Sequence, residues 1–320
     1  MEGRSRRPDG DQESKARIQE PAVRETAEMA DRKLTTAYGR HDRRWAGNLY
    51  VYPVVSRRSR GLSIGINLNP DKGCNYDCLY CQVDRKAPPT VRKVDLAVVT
   101  AELDAILAAE RDGSLYETPP CDALTPPDRG IRDIAFSGDG EPTAYPRFVE
   151  AVEIAAAARE RFGLTDTKLV VITDGAYLDR PLVREALELL DRHNGEVWAK
   201  LDAGTEEFFR QVNRPNISLD RLMAALVDAA RRRPIVIRTL LFRLDGAPPP
   251  DAEVEAYIRR LEGLVSDGGQ IKAIQLHTIA RRPASPRASA LSDAELDGVA
   301  ALIQSRVNIP VEVHYGLSVV

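Results

Sequence analysis

The sequence contains no long hydrophobic run. No stretch approaches the roughly 20 apolar residues that a membrane helix requires, and the opening residues MEGRSRRPDG lack the apolar segment of a signal peptide. We therefore expect a cytoplasmic protein with no membrane partner. Cysteine is also scarce, with four in 320 residues. In a reducing compartment such thiols more often bind metal or perform redox chemistry than form structural disulfides.

The composition excludes a disordered chain, since 43% of the residues are hydrophobic and 29% are charged. The small net charge of -3 conceals an asymmetry, because residues 1–60 contain 14 Lys and Arg against 9 Asp and Glu. Most of this basic excess lies between Arg40 and Arg60, which is either a solvated loop or a surface for phosphates or another anionic partner. Residues 1–45 have few apolar positions and are expected to form a flexible charged arm.

From about Tyr50 short apolar runs alternate with helical segments, which predicts a parallel sheet covered by helices. One helix is predicted after Asp251, and another begins with a capping box formed by Ser292 and Glu295. No G-x-G-x-x-G motif follows an early strand to favour an open doubly wound sheet. We therefore predict an α/β fold, a partial (β/α)6 TIM-type barrel over residues 46–320. The predicted strands are Leu62–Leu68, Ile131–Phe136, Lys168–Ile172, Glu196–Leu201, Ile235–Phe242, Ile271–Leu276 and Val311–Val313.

Three of the four cysteines lie within eight residues, in DKGCNYDCLYCQVDR, with the spacing C-x3-C-x2-C. Three thiolates can bind zinc, but a closed structural zinc site has four ligands, and no His or Cys lies at a suitable spacing. A [4Fe-4S] cluster has four irons, so Cys74, Cys78 and Cys81 would leave one iron open to a small molecule. Cys121 belongs to a connection that enters a strand, on the face opposite the catalytic loops of a barrel, and is predicted not to be a ligand.

The cysteine motif, with Tyr80 just before its last cysteine, resembles the signature of the radical S-adenosylmethionine (radical SAM) superfamily. The resemblance implies that S-adenosylmethionine binds the uncovered iron through its amino and carboxylate groups. An electron from the reduced cluster then breaks the sulfonium bond, and the resulting 5'-deoxyadenosyl radical takes a hydrogen atom from the substrate. An electron donor of the flavodoxin or ferredoxin type is implied as a partner. The protein itself excludes water and directs the reactive carbon.

Later strand ends should supply the rest of the cofactor site. The segment FSGDGEP resembles the family's glycine-glycine-glutamate element, interrupted here by Asp139. Small residues there let backbone carbonyls and a carboxylate approach the cofactor's amino group. The segments VITDG and AKLDAG end the next two strands, and their polar groups either bind the cofactor or cap helices. The expected cofactor-binding residues are Tyr80, Ser137, Gly138, Gly140, Glu141, Thr173, Asp174, Lys200, Asp202 and His277, the last of which has a structural role as the alternative.

Residues 50–220 resemble the branch of the superfamily that contains the wyosine-base tRNA synthases and uncharacterised iron-sulfur oxidoreductases. The matching segments are SRRSRGLSIGINLNPDKGCNYDCLYCQ, FSGDGEPT and KLDAGTEEFFRQVNRP. Wyosine synthases carry a second cluster on upstream cysteines, whereas this chain has no cysteine before Cys74. We expect a radical SAM enzyme of unknown substrate and oligomeric state, with an RNA base, for example in tRNA, as the leading hypothesis. The alternatives are an activase that acts on a glycyl-radical partner protein and a non-catalytic metal-binding or electron-transfer module.

Overall fold

The computed structural model describes residues 33–39, 43 and 45–317. Residues 33–39 are helical and form α1. Within the described ranges no helix is both long enough and apolar enough to span a membrane. Most of the predicted arm, residues 1–45, lies outside these ranges. Its flexibility and the boundary at residue 45 therefore stay predictions.

Eight strands form one curled, open sheet. They are β1 (Val51–Ser56), β2 (Gly61–Ile66), β3 (Ile131–Phe136), β4 (Lys168–Thr173), β5 (Gly195–Lys200), β6 (Ile235–Leu240), β8 (Ile271–His277) and β10 (Val311–His314). They follow one another across the sheet in chain order, and β1 pairs antiparallel with β2 while all other neighbours are parallel. A separate antiparallel pair consists of β7 (Phe242–Leu244) and β9 (Ala288–Ala290). The sheet is therefore a partial barrel of parallel strands with an antiparallel edge.

Helices connect the parallel strands, as expected for successive βα units. They are α2 (Leu96–Asp112), α3 (Phe148–Arg161), α4 (Pro181–Asp191), α5 (Glu206–Val212), α6 (Leu219–Arg232), α7 (Asp251–Ser266) and α8 (Asp293–Arg306). The apolar residues that predicted α7, such as Tyr257 and Leu261, are buried, and Ser292 and Glu295 form the predicted capping box of α8. Local sequence signals thus set where these helices begin and which face they bury.

The inner face of the sheet carries a small apolar layer below the polar groups of the site. Ala135, Val170, Trp198 and Val236 form this layer with help from Ile172. Side chains alternate between the two faces of a strand, so Lys200 and Arg238, two residues beyond Trp198 and Val236, share the inner face. These two residues are also direct partners across β5 and β6. The register therefore places two cations side by side toward the carboxyl ends of the strands.

The predicted partial barrel is confirmed, and each predicted strand is present within two residues of its expected bounds. β1 was not among the strands predicted from the sequence, and it contains Pro53, which is tolerated only at a sheet edge or bulge. β1 lies at the sheet edge, where a missing backbone N–H is tolerated. The sequence also did not separate β7 from β6, since the apolar run continues across the break at Leu241.

Candidate active site

A cavity of about 290 Å³ opens where the parallel strands end. Its walls come from the cysteine loop after β2 and from the ends of β3, β4, β5, β6 and β8. Twelve of the thirteen predicted site residues line it: Cys74, Cys78, Tyr80, Cys81, Ser137, Gly138, Gly140, Glu141, Thr173, Asp174, Lys200 and His277. Residues from five distant segments of the chain thus meet at the face where a barrel of this kind carries its catalytic loops.

A larger cavity of about 810 Å³ adjoins this one and shares part of its wall, including Arg43, Gln82 and Arg281. None of the three clustered cysteines and none of the predicted cofactor residues line it. We take the smaller cavity as the candidate active site because it contains the thiols and the strand-end polar groups. The larger cavity is a neighbouring space that shares wall residues with the site.

The cysteine loop is docked on the segment that follows α5. The backbone N–H of Asp77 donates to the carbonyl of Asn213 at 3.1 Å, and that of Leu79 donates to Val212 at 2.9 Å. In the reverse direction the N–H of Asn216 donates to Asn75 at 3.2 Å. These bonds resemble a short strand pairing and hold the loop that carries all three thiols.

The side chain of Asn213 links this docking segment to the site. Its Nδ2 lies 3.5 Å from Cys78 Sγ, 3.2 Å from the Tyr80 hydroxyl and 2.8 Å from Asp202 Oδ2. Asn213 is fully buried, and its Oδ1 has no hydrogen-bond partner among the described residues. Burial raises the pKa of Cys78, whereas Lys200 and the Asn213 amide favour its thiolate.

Lys200 is fixed at the cavity wall by Tyr80 and Asp202. Its ammonium donates to the Tyr80 hydroxyl at 2.6 Å and lies 3.6 Å from Asp202 Oδ2. The Tyr80 hydroxyl in turn donates to Asp202, whose other oxygen accepts the backbone N–H of Leu240 at 2.9 Å. Asp202 itself is 3% exposed and lies behind the wall, not on it. Burial lowers the pKa of Lys200, but Cys78 and Asp202 outweigh it and raise the pKa above its ordinary value, so the side chain is charged at neutral pH.

Glu141 joins the ends of β3 and β4. Its Oε1 accepts the backbone N–H of Thr143 at 3.0 Å and the Thr173 hydroxyl at 2.7 Å, and its Oε2 accepts the backbone N–H of Asp174 at 2.6 Å. Both carboxylates are buried. Burial and then the neighbouring Glu141 raise the pKa of Asp174 well above its ordinary value. These surroundings therefore disfavour the ionised form of Asp174, and an incoming cation would favour it.

Gly138 and Gly140 are required by close approach of two loops. A Cβ on Gly138 would lie 2.2 Å from Asn67 Oδ1, and one on Gly140 would lie 1.7 Å from the carbonyl of Gly73. Asp139, the departure from the family's pattern, accepts from Asn67 Nδ2 at 2.7 Å and pairs with Arg43. Both glycines thus let the loop that follows β3, residues 137–141 and called the β3 loop below, pack against the cysteine loop. Asp139 anchors it there.

His277 ends β8, and its Nδ1 lies 3.2 Å from the carbonyl oxygen of Gln275. Burial and then the guanidiniums of Arg238 and Arg58 lower the pKa of His277 well below its ordinary value. The ring is therefore neutral at physiological pH. Cys121 lies on the connection that enters β3, fully buried in the apolar core, and does not line the cavity.

Three residues of the site were not singled out from the sequence. Asn67 and Asn213 bind the loops that carry the motif, and Arg85 faces the cysteines. Burial lowers the pKa of Arg85, but Cys81 and Cys74 raise it, and the net shift is upward. These residues lie in the segments INLNP, QVNRP and CQVDR. None of these segments has a residue spacing that would mark a functional site.

Among the residues that the structure describes, no three His, Cys, Asp or Glu side chains converge closely enough to bind a single metal ion. An iron-sulfur cube does not need such convergence, because each of its cysteines binds a different iron. The three thiols of one loop, all on the wall of one cavity, fit that arrangement.

No protein family model matches the chain. The chain is similar to a protein named GTPase Obg from Brachyspira hyodysenteriae, with 27% identity over 263 residues, 82% of this chain and 34% of that protein. It is also similar to UPF0026 proteins from Helicobacter pylori, with 27% identity over 76% of this chain and 70% of the relative, and from Methanocaldococcus jannaschii, with 30% identity over 55% and 47%. The chain thus spans about a third of the first relative and about half of the last.

Several solved structures share this fold. A radical SAM methyltransferase from Sphaerobacter thermophilus superposes with a TM-score of 0.59 and 18% identity, over 84% of this chain and 70% of that one. SuiB from Streptococcus suis bound to S-adenosylmethionine gives 0.52 and 13%, over 81% and 52%. TYW1 with a lysine-pyruvate adduct gives 0.50 and 17%, over 77% and 74%.

The chain therefore has the fold of the radical SAM enzymes, and the resemblance inferred from its cysteine motif is confirmed at that level. Its sequence relatives include the UPF0026 proteins, which share no more than about a third of their residues with it.

Proposed function

We propose that this protein is a radical SAM enzyme that binds a [4Fe-4S] cluster and S-adenosylmethionine in the cavity at the strand ends. One observation carries the proposal. All three cysteines of the C-x3-C-x2-C motif line the same cavity as the polar groups that end β3, β4, β5 and β8. Residues that are far apart in the sequence are gathered there, as a cofactor larger than a metal ion requires.

Cys74, Cys78 and Cys81 would hold the cluster, with Tyr80 and Lys200 beside them. When bound, cluster and S-adenosylmethionine supply reductive cleavage of the sulfonium bond and a 5'-deoxyadenosyl radical that abstracts hydrogen from the substrate. The chain's own cations balance the charge of the thiolates, since Lys200 acts on Cys78 and Arg85 faces Cys74 and Cys81. Thiolates are the ligand form, so groups that favour the thiolate of Cys78 favour assembly.

The carboxylates of Glu141 and Asp174 would receive the ammonium group of the cofactor. Glu141 is already rigid because it is bonded to Thr143, Thr173 and the backbone of Asp174. The arrival of a cation at this buried pair would favour the ionised form of Asp174 and supply a counter-charge. Ser137, Thr173 and His277, also on the cavity wall, can bind the remaining polar groups of the cofactor.

The proposal is tested by anaerobic reconstitution of the purified full chain with iron and sulfide, followed by chemical reduction in the presence of S-adenosylmethionine. We expect release of 5'-deoxyadenosine and methionine. A variant in which Cys74, Cys78 and Cys81 are all replaced by Ala should release neither. If the wild-type chain cleaves no cofactor and binds zinc tightly instead, it is the non-catalytic metal-binding module.

An RNA base is the macromolecular substrate that we propose to test first, with a glycyl-radical partner protein as the alternative. The support is the basic run between Arg40 and Arg60 and the sequence resemblance to tRNA-modifying enzymes. Binding of tRNA across a salt series, by the wild type and by a variant with Arg40, Arg44 and Arg60 replaced by Ala, distinguishes the two, because RNA binding through the basic run predicts a shallower salt slope in the variant. Substitution is used in place of a deletion through residue 60 because β1, from Val51, belongs to the sheet. A flavodoxin or ferredoxin as electron donor and a cytoplasmic location belong to the same proposal.

A further inference from the structure

Four arginines on the wall of the active-site cavity have no acidic partner among the residues that the structure describes. They are Arg57, Arg58, Arg238 and Arg281. Within the described part of the chain no carboxylate oxygen lies within 4.0 Å of any of their guanidinium nitrogens. Arg43, on the same wall, shows the usual arrangement, because it pairs with Asp139.

Two of the four have an unsatisfied nitrogen. The Nε atoms of Arg58 and Arg238 are buried and have no hydrogen-bond partner among the described residues. The other two bind neutral oxygens only, since Arg57 donates to the carbonyl of Tyr315, and Arg281 donates to the carbonyl of Tyr38 at 3.1 Å and to Gln82 Oε1 at 3.3 Å. Their charges are therefore not compensated by these contacts.

The arginines lower one another's pKa and the pKa of a neighbouring histidine. Burial and then Arg238, Arg281 and Arg57 lower the pKa of Arg58 well below its ordinary value. Burial and then Arg58, Arg57 and Arg238 lower the pKa of His314 to about 4. A buried cation without a counter-charge is strongly unfavourable.

The nearest carboxylates are already engaged. Asp133, whose charge raises the pKa of Arg58, accepts a hydrogen bond from the Ser63 hydroxyl at 2.5 Å. Asp202, which acts on Arg238, is bonded to Tyr80, Asn213 and Leu240.

We infer that the substrate carries an oxyanion group, a carboxylate or a phosphate, which Arg58 and Arg238 bind inside the active-site cavity while Arg57 and Arg281 attract it. This inference rests on the proposed function, in that the bound molecule is the substrate of the radical reaction. Guanidinium is well suited to such groups because its planar fork matches carboxylate and phosphate oxygens. S-adenosylmethionine has one carboxylate, which can pair with one of these guanidiniums and leaves the others without a counter-charge.

Binding of two probes, inorganic phosphate and acetate, to the full chain tests the inference by calorimetry at constant ionic strength, with chloride as the reference anion. The variants are Arg238→Gln and Arg58→Gln. The matched control is Arg184→Gln, which removes an arginine that pairs with Asp228 at 2.9 Å on another face. We expect either cavity variant to weaken binding of the preferred probe by about tenfold or more and the control to bind as wild type. Preference for phosphate would identify a phosphorylated or nucleotide substrate, and preference for acetate a carboxylic acid.

Thermal unfolding without added anion gives an independent readout. Removal of an uncompensated buried cation should raise the melting temperature of Arg238→Gln by a few degrees. Arg238→Lys, which keeps the charge, should retain part of the anion binding and should not gain this stability.

Equal anion binding by wild type and both cavity variants would overturn the inference. So would weaker S-adenosylmethionine binding in Arg238→Gln with unchanged anion binding, since the arginines would then serve the cofactor. The anion-binding result depends on neither cluster assembly nor cofactor cleavage. Failure of the proposed function, seen as absence of 5'-deoxyadenosine, is therefore recorded separately.

Discussion

At the scale of single residues, Asn213 connects the cysteine loop to the polar groups around Lys200. One amide group reaches Cys78, Tyr80 and Asp202, and its backbone carbonyl accepts from Asp77 of the cysteine loop. It thus couples the position of one proposed cluster ligand to the position of Lys200 through Tyr80. Hydrogen bonds to ligand sulfurs also contribute to the reduction potential of iron-sulfur clusters.

We predict that Asn213→Leu destabilises the fold by about 1 to 3 kcal/mol, because Asp202 and Tyr80 each lose a buried partner. The variant should also assemble a cluster of lower reduction potential, because the thiolate of Cys78 loses a donor. Urea unfolding measures the first effect, and a spectroscopic redox titration measures the second.

Asn216→Ala is the matched control, since Asn216 lies in the same segment but is exposed. A potential that does not move in Asn213→Leu, with full iron content, would contradict the role assigned to the amide.

At the scale of elements, the site depends on how closely two loops pack. The β3 loop reaches the cysteine loop through the backbone N–H of Glu141, which donates to the carbonyl of Gly73 at 3.0 Å. Only a glycine at position 140 leaves room for this contact, because a Cβ there would lie 1.7 Å from that carbonyl oxygen.

We predict that Gly140→Ala forces the loops apart, lowers the free energy of unfolding by about 1 to 3 kcal/mol and reduces iron incorporation. Gly298→Ala is the control. Gly298 lies inside α8 with no atom near its added Cβ, so that change should stabilise the chain by about 0.4 to 1 kcal/mol. Denaturant unfolding and iron analysis of both variants provide the check, and an unaffected Gly140→Ala would show that the two loops move apart freely.

The elements that sequence could predict were those with local signals. Parallel strands appeared as buried apolar runs, and α8 was marked by Ser292 and Glu295. The docking of the cysteine loop on residues 212–216 could not be predicted, because main-chain bonds between distant segments leave no spacing pattern. For the same reason Glu141 was assigned to the cofactor alone, although its oxygens also join β3 to β4.

At the scale of the whole molecule, the curl of the sheet brings its two edges to one cavity. The turn after β1 supplies Arg57 and Arg58, and the opposite part of the sheet supplies Arg238 and His277. The bond from Arg57 to Tyr315, just beyond β10, joins those edges. The cluster loop and the unpaired arginines therefore face one space, although 162 residues separate Arg238 from Tyr76 at the centre of the cysteine motif.

The global arrangement also separates the two kinds of cysteine. Cys74, Cys78 and Cys81 line the cavity at the carboxyl ends of the strands, and Cys121 is buried in the core beside the connection into β3. The sequence predicted this division from the direction of a single strand, because loops that enter and leave a parallel strand lie at opposite ends of the barrel.

The most direct test of the account is electron paramagnetic resonance of the reduced, anaerobically reconstituted chain before and after addition of S-adenosylmethionine. We predict about four irons per chain and a spectrum that changes when the cofactor binds the open iron. The same response is expected in Cys121→Ala and should be absent in Cys78→Ala. A spectrum that does not respond to the cofactor, or loss of iron in Cys121→Ala with retention in Cys78→Ala, would contradict the account.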